Sequence, residues 1–77
     1  MNEALGQTSI EMQNGVVLAL KFTPDQVATG AADQDFFTRC IAARVSSVEH
    51  HTVMLVDETG RVLRREHFYH PQNQGTN

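Results

Sequence analysis

The side chains with most chemistry to offer are gathered in Arg61-Val-Leu-Arg-Arg-Glu-His-Phe-Tyr-His70. On a β-strand, Arg61, Leu63, Arg65, His67 and Tyr69 would share one face, and Val62, Arg64, Glu66 and Phe68 the other. Guanidinium groups beside aromatic rings can hold phosphates and stack on bases, or they can anchor a protein contact. The plainer use is an edge strand kept soluble by charge, its arginines pairing with Asp57, Glu58 or Glu66. The remainder of the chain is acidic and opposes a phosphate backbone, so the partner expected is a protein. Its contacts would be Arg61, Arg64, Arg65, Phe68 and Tyr69.

The histidines raise a second possibility. His50 and His51 precede one apolar run, and His67 and His70 close the segment that follows it. A hairpin turning at residues 57–60 brings His67 opposite His50 or His51, where cross-strand Cβ atoms lie about 5 Å apart and two imidazoles can share a zinc ion. Against this, the compact Cys/His spacing of a structural zinc site is missing. No metal or other cofactor is therefore expected, and these four residues are the candidates should one bind. Cys40 lies on an apolar stripe, the usual setting of an inert packed thiol rather than a nucleophile. Asp33 and Asp35 suit the start of a helix better than a paired-carboxylate site. The serines have no flanking glycines of the nucleophile-elbow kind, and the glycines are too scattered to cradle phosphate. No catalytic residue is expected.

The elements that must position these groups belong to one short domain. A chain of 77 residues buries only about 60% of its unfolded surface, so its stability margin is thin. With Cys40 its single cysteine, it cannot staple itself, and a lone free thiol points to a reducing compartment. Self-association or a metal would be the remaining reinforcement. The apolar runs are far shorter than the roughly 20 residues a bilayer requires, and the N-terminal segment lacks the pattern of a signal peptide. A cytoplasmic location without membrane contact is the expectation. Net charge is −3, divided as −4 over residues 1–38 and +1 over residues 39–77, where all five arginines lie.

Asn14-Gly15 is a hairpin signal between strands Thr8–Met12 and Val16–Phe22. A three-residue loop pairs Met12 with Val16 and Ile10 with Leu18, which keeps a single apolar face, so that register is preferred. Thr23-Pro24-Asp25-Gln26 then predicts a helix with a Thr N-cap, Pro at the first position and Gln closing a capping box. Gly30 weakens that helix, and Asp33 is placed to cap a fresh turn. Phe37, Ile41 and Val45 recur at helical spacing with Phe36 and Cys40 beside them, yet Ile41, Ala43 and Val45 alternate as a strand would, leaving 39–48 ambiguous. Thr52–Val56, the turn Asp57-Glu58-Thr59-Gly60 and Arg61–Tyr69 form a second hairpin.

The fold expected is a small α+β domain over residues 8–70, two β-hairpins and one helix in the order β-β-α-β-β, with residues 1–7 and 71–77 as flexible tails. The alternative is a five-stranded β-barrel with one helix, in which residues 41–48 form a strand. The function expected is a non-catalytic protein-binding or regulatory module, with Phe36 or Phe37 at the contact if it forms a homodimer. The alternatives are a single-stranded nucleic-acid binder using the same C-terminal strand and a zinc-stabilised domain.

Overall fold

The computed structural model of the chain describes residues 6–12 and 15–71. Four strands and two helices follow in the order β1 (Gly6–Met12), β2 (Gly15–Lys21), α1 (Pro24–Ala28), α2 (Ala31–Arg44), β3 (His50–Val56) and β4 (Val62–Tyr69). The strands form one sheet in the order β1-β2-β3-β4. Two antiparallel hairpins flank a parallel central pair, β2 and β3, with the helices filling the crossover. This is the expected β-β-α-β-β domain. Of the expected N-terminal tail, Gly6 and Gln7 already belong to β1, and residues 1–5 and 72–77 lie outside the described residues.

The first helix starts where the sequence signals it, and the second starts earlier than expected. Thr23 Oγ1 accepts the Gln26 backbone N–H at 3.2 Å, and Gln26 Oε1 accepts the Thr23 N–H at 2.9 Å. This reciprocal pair satisfies two donors that the first helical turn would otherwise leave open. Gly30, in the left-handed region at φ 87°, turns the chain from α1 into α2 and is the N-cap of the second helix. Asp33 therefore does not cap α2; it lies within the first turn, where a carboxylate favours the positive end of the helix.

Helix α2 buries Ala32, Phe36, Cys40 and Ala43, a stripe of period near 3.6 whose small residues let the helix lie close to the sheet. They meet Leu20, Phe22, Val53 and Leu55 from β2, the chain just after it, and β3, with Leu18 and Phe68 at the margin. Phe22, Leu20, Leu55 and Val53 are sealed from solvent, each worth about 1.5–3 kcal/mol of transfer free energy. The barrel alternative is ruled out: α2 runs through Arg44, and the four-stranded sheet does not close. The alternation at 41, 43 and 45 was misleading because only Ala43 of the three faces the core, while Ile41 and Val45 are exposed.

The first hairpin corrects the expected register. Ile10 pairs with Val17, Ser9 with Leu18 and Met12 with Gly15, so Gly15 belongs to the strand and only residues 13–14, outside the described set, join β1 to β2. The one-face argument fails because β2 is a central strand with apolar residues on both faces, leaving Ile10 free to join Val17 away from the helices. In the second hairpin a bulge opposite Leu55/Val56 pairs Val62 with Val56 and Arg64 with Leu55, leaving Leu63 as the extra residue.

Candidate functional site

The sheet has two unlike faces. Leu18, Leu20, Val53, Leu55 and Phe68 turn toward the helices. The pairing registers put the alternate residues on the other side: Thr8 and Ile10 of β1, Val17, Ala19 and Lys21 of β2, His50, Thr52 and Met54 of β3, and Val62, Arg65, His67 and Tyr69 of β4. Among the described residues no helix covers this second face. Ile10 is 53% exposed and Tyr69 55% exposed, while Val17, Ala19 and Met54 between them are half-buried by their neighbours. The fixed charges on this face, Lys21 and Arg65, are both positive, and no carboxylate shares it among the described residues.

At one end of the face lies a concavity of about 490 Å³, floored by Ala19, Met54, Val56 and Val62 with Lys21 at its side. It is concave because Gly6, Ala19 and Gly60 bring little or no side chain to its wall. The turn beside it is fixed by Asp57. The carboxylate oxygen Oδ1 accepts from the Thr59 hydroxyl at 2.6 Å and from the backbone N–H groups of Thr59 and Arg61 at 2.9 Å. These bonds, the Thr59 hydroxyl foremost, hold the Asp57 carboxyl below its ordinary range.

At the other end sits an imidazole pair. His50 Nδ1 lies 3.2 Å from His67 Nε2, and His67 Nδ1 lies 2.7 Å from Thr52 Oγ1. The Tyr69 ring leans on His50 with centroids 4.9 Å apart. The hairpin thus brings His67 to His50 as the sequence suggested, though its direct partner in the ladder is Thr52. The other two histidines lie elsewhere. His51 faces the helix side, where burial lowers its pKa from 6.5 and nearby His70 adds to the drop. His70 binds the Ala43 carbonyl through Nε2 at 3.0 Å and the Glu49 carbonyl through its backbone N–H at 2.7 Å. Four histidines do not converge, and no group of three metal-ligating side chains forms among the described residues.

The five expected contact residues are divided by the pleat. Arg65 and Tyr69 lie on the uncovered face, while Arg64 and Phe68 turn toward α2 and Arg61 sits at the turn. Arg64 Nε is 3.7 Å from Asp33 Oδ1, with both side chains more than half exposed, a pair worth little in water. The Arg44 guanidinium stands 5.9 Å over the Phe68 ring. Beside them a cleft of about 180 Å³ between α2 and β4 is lined by Asp33, Phe37, Cys40, Arg44, Arg64 and Glu66. The two phenylalanines separate as well: Phe36 is 4% exposed in the core, and Phe37 is 59% exposed on the outer side of α2 with Ile41 and Val45.

Cys40 is buried, and that burial raises its pKa, with Glu66 adding to the rise against the opposing pull of Arg44 and Arg64. A thiol held protonated is the reverse of an activated nucleophile. Sequence reasoning passed over Ile10, Val17, Lys21 and Met54. Their signal was present in the unbroken apolar run Val16–Leu20, which marks a strand with two apolar faces, and in the fact that one helical layer covers just one of them.

Comparison with protein-family models, curated proteins and solved structures gives no match. Among the described residues no helix is long and apolar enough to cross a membrane.

Proposed function

We propose that this chain is a non-catalytic protein-binding module that works through the uncovered face of its sheet. The observation that carries the reading is the pairing of an apolar centre, Ile10, Val17 and Met54, with charges of one sign, Lys21 and Arg65. Apolar area flanked by sparse charge is the make-up of a specific contact rather than of a solvated surface. The partner that fits is a protein segment presenting apolar side chains flanked by carboxylates. A second copy docked face to face would bring cations of like sign into one contact, which works against a homodimer through this surface. A phosphate backbone would find just two fixed cations here, too few to dominate binding. The C-terminal strand contributes Arg65 and Tyr69 to the contact, while Arg64 and Phe68 lie on the α2 side, outside it. The single free thiol favours a reducing compartment such as the cytoplasm.

The test is selection of a random peptide library on the immobilised chain, followed by amide-shift mapping of the enriched peptides. Enrichment of apolar–acidic sequences that move Val17, Met54 and Arg65, and that no longer bind Met54→Glu, supports the reading. Peptides without acids, or shifts centred on α2, overturn it. So does a concentration-dependent dimer abolished by Met54→Glu, or preferential retention of a single-stranded oligonucleotide with steep salt dependence.

A further inference from the structure

His50 and His67 are the pair of titratable side chains on the uncovered face that point at each other, and the contact proposed above does not require them to. Their nitrogens are 3.2 Å apart. Two imidazole nitrogens bound to one late transition-metal ion at about 2.0–2.1 Å and separated by that distance subtend an angle of about 100° at the metal, between the square-planar and tetrahedral values. Both side chains are exposed, so their rings can turn until the two lone pairs converge on one point.

The surroundings suit that use. The metal-binding tautomer of His67 carries its proton on Nδ1, and Thr52 Oγ1 lies 2.7 Å away to accept it. An oxygen that takes the second N–H of a ligating imidazole fixes the tautomer and makes the other nitrogen a better donor. Tyr69, 4.9 Å from His50 between ring centroids, limits the sweep of that ring. The remaining histidines do not compete on equal terms. His51 lies across the sheet, and the Nε2 of His70 is engaged by the Ala43 carbonyl.

We infer that the His50–His67 pair is a bidentate site for one divalent late transition-metal ion, taken up in the order Cu(II) before Zn(II), with water completing the coordination. Imidazole donors and the general affinity order of first-row ions set that ranking. With just two protein ligands the site is open and exchangeable, unlike the closed four-ligand sites that hold a fold together. The ion lies on the proposed binding face but is recognised without any partner, so the two readings stand or fall separately.

The experiment titrates the full chain, in buffer free of chelators, first with a Cu(II) salt and then with a Zn(II) salt. Calorimetry reads stoichiometry and affinity, and NMR locates the ion by Cu(II) broadening. The expected result is one equivalent bound, Cu(II) more tightly than Zn(II), with broadening centred on His50, Thr52, His67 and Tyr69. His50→Ala and His67→Ala should each abolish binding at that position while the amide spectrum stays dispersed, and Thr52→Val should weaken it about tenfold. Broadening centred on the chain's N-terminus, on His51 or on His70 overturns the inference, as does undiminished affinity in the His50→Ala/His67→Ala double variant.

Discussion

Gly15 and His50 face each other across the parallel seam so closely that a Cβ on Gly15 would lie 3.1 Å from the His50 carbonyl oxygen and 3.2 Å from its Cβ. The residue whose imidazole reaches His67 thus has its backbone and Cβ against a position with no side chain. Gly15→Ala sets two effects in opposition. Ala is favoured over Gly in a strand by about 0.5–1 kcal/mol, whereas forcing a methyl into packed structure costs about 1–3 kcal/mol. The crowding should prevail, with a net loss of about 1 kcal/mol in urea denaturation and a shifted His50 ring resonance. An unchanged midpoint would mean that the seam yields at no cost.

His51 makes stability depend on pH in a defined direction. Its pKa is lowered from 6.5 in the fold, so below that pH the unfolded chain takes up a proton more readily than the folded one. Stability from this residue is complete above pH 6.5, is lost as pH falls through the folded-state value, and levels off below it. The melting temperature should drop between pH 7.5 and 5.5, and His51→Gln should flatten that part of the profile. A slope unaltered by the substitution would assign the effect to other groups.

The neighbouring phenylalanines should respond in opposite ways to truncation. Phe36 is in the core, so Phe36→Ala should cost about 3–5 kcal/mol. A chain of 77 residues has about 4–12 kcal/mol of total stability, so that loss is a large part of what holds the fold. Phe37 projects outward, and Phe37→Ala should change stability by less than about 0.5 kcal/mol. Paired chemical denaturations distinguish them, and comparable losses would show that Phe37 packs against something.

Much of the architecture was legible because several segments carry local signals that no tertiary contact contradicts. Thr23-Pro24-Asp25-Gln26 specifies a helix start from its own hydrogen bonds. Asp57 to Gly60 specifies a turn through the Asp57 carboxylate and the positive φ of Gly60. Register was harder. In β2 both faces are apolar, so hydrophobic patterning does not choose between a two- and a three-residue loop. In β4 the extra residue at Leu63 puts Val62 on the face that simple alternation denied it, a displacement that depends on pairing rather than composition. The site was half visible for the same reason. The approach of His67 to His50 follows from any tight hairpin, but the division of Arg64 from Arg65 and the exposure of the Val17 side of the sheet depend on which face the helices cover.

The parallel seam also governs how the fold is reached. Within each hairpin, neighbours meet across short loops, whereas every β2–β3 pair from Gly15↔His50 to Lys21↔Val56 joins residues 35 apart in the chain. Closing a flexible loop of that length costs about 3 kcal/mol beyond the length-independent part, and this is incurred before the core can repay it. The molecule is in this sense two quickly formed hairpins whose union is the slow event, with α1 and α2 shortening the span between them. Folding rates should therefore follow truncations at Leu20 and Val53 and remain nearly indifferent to changes in the Asp57 turn, a contrast that stopped-flow kinetics would read directly.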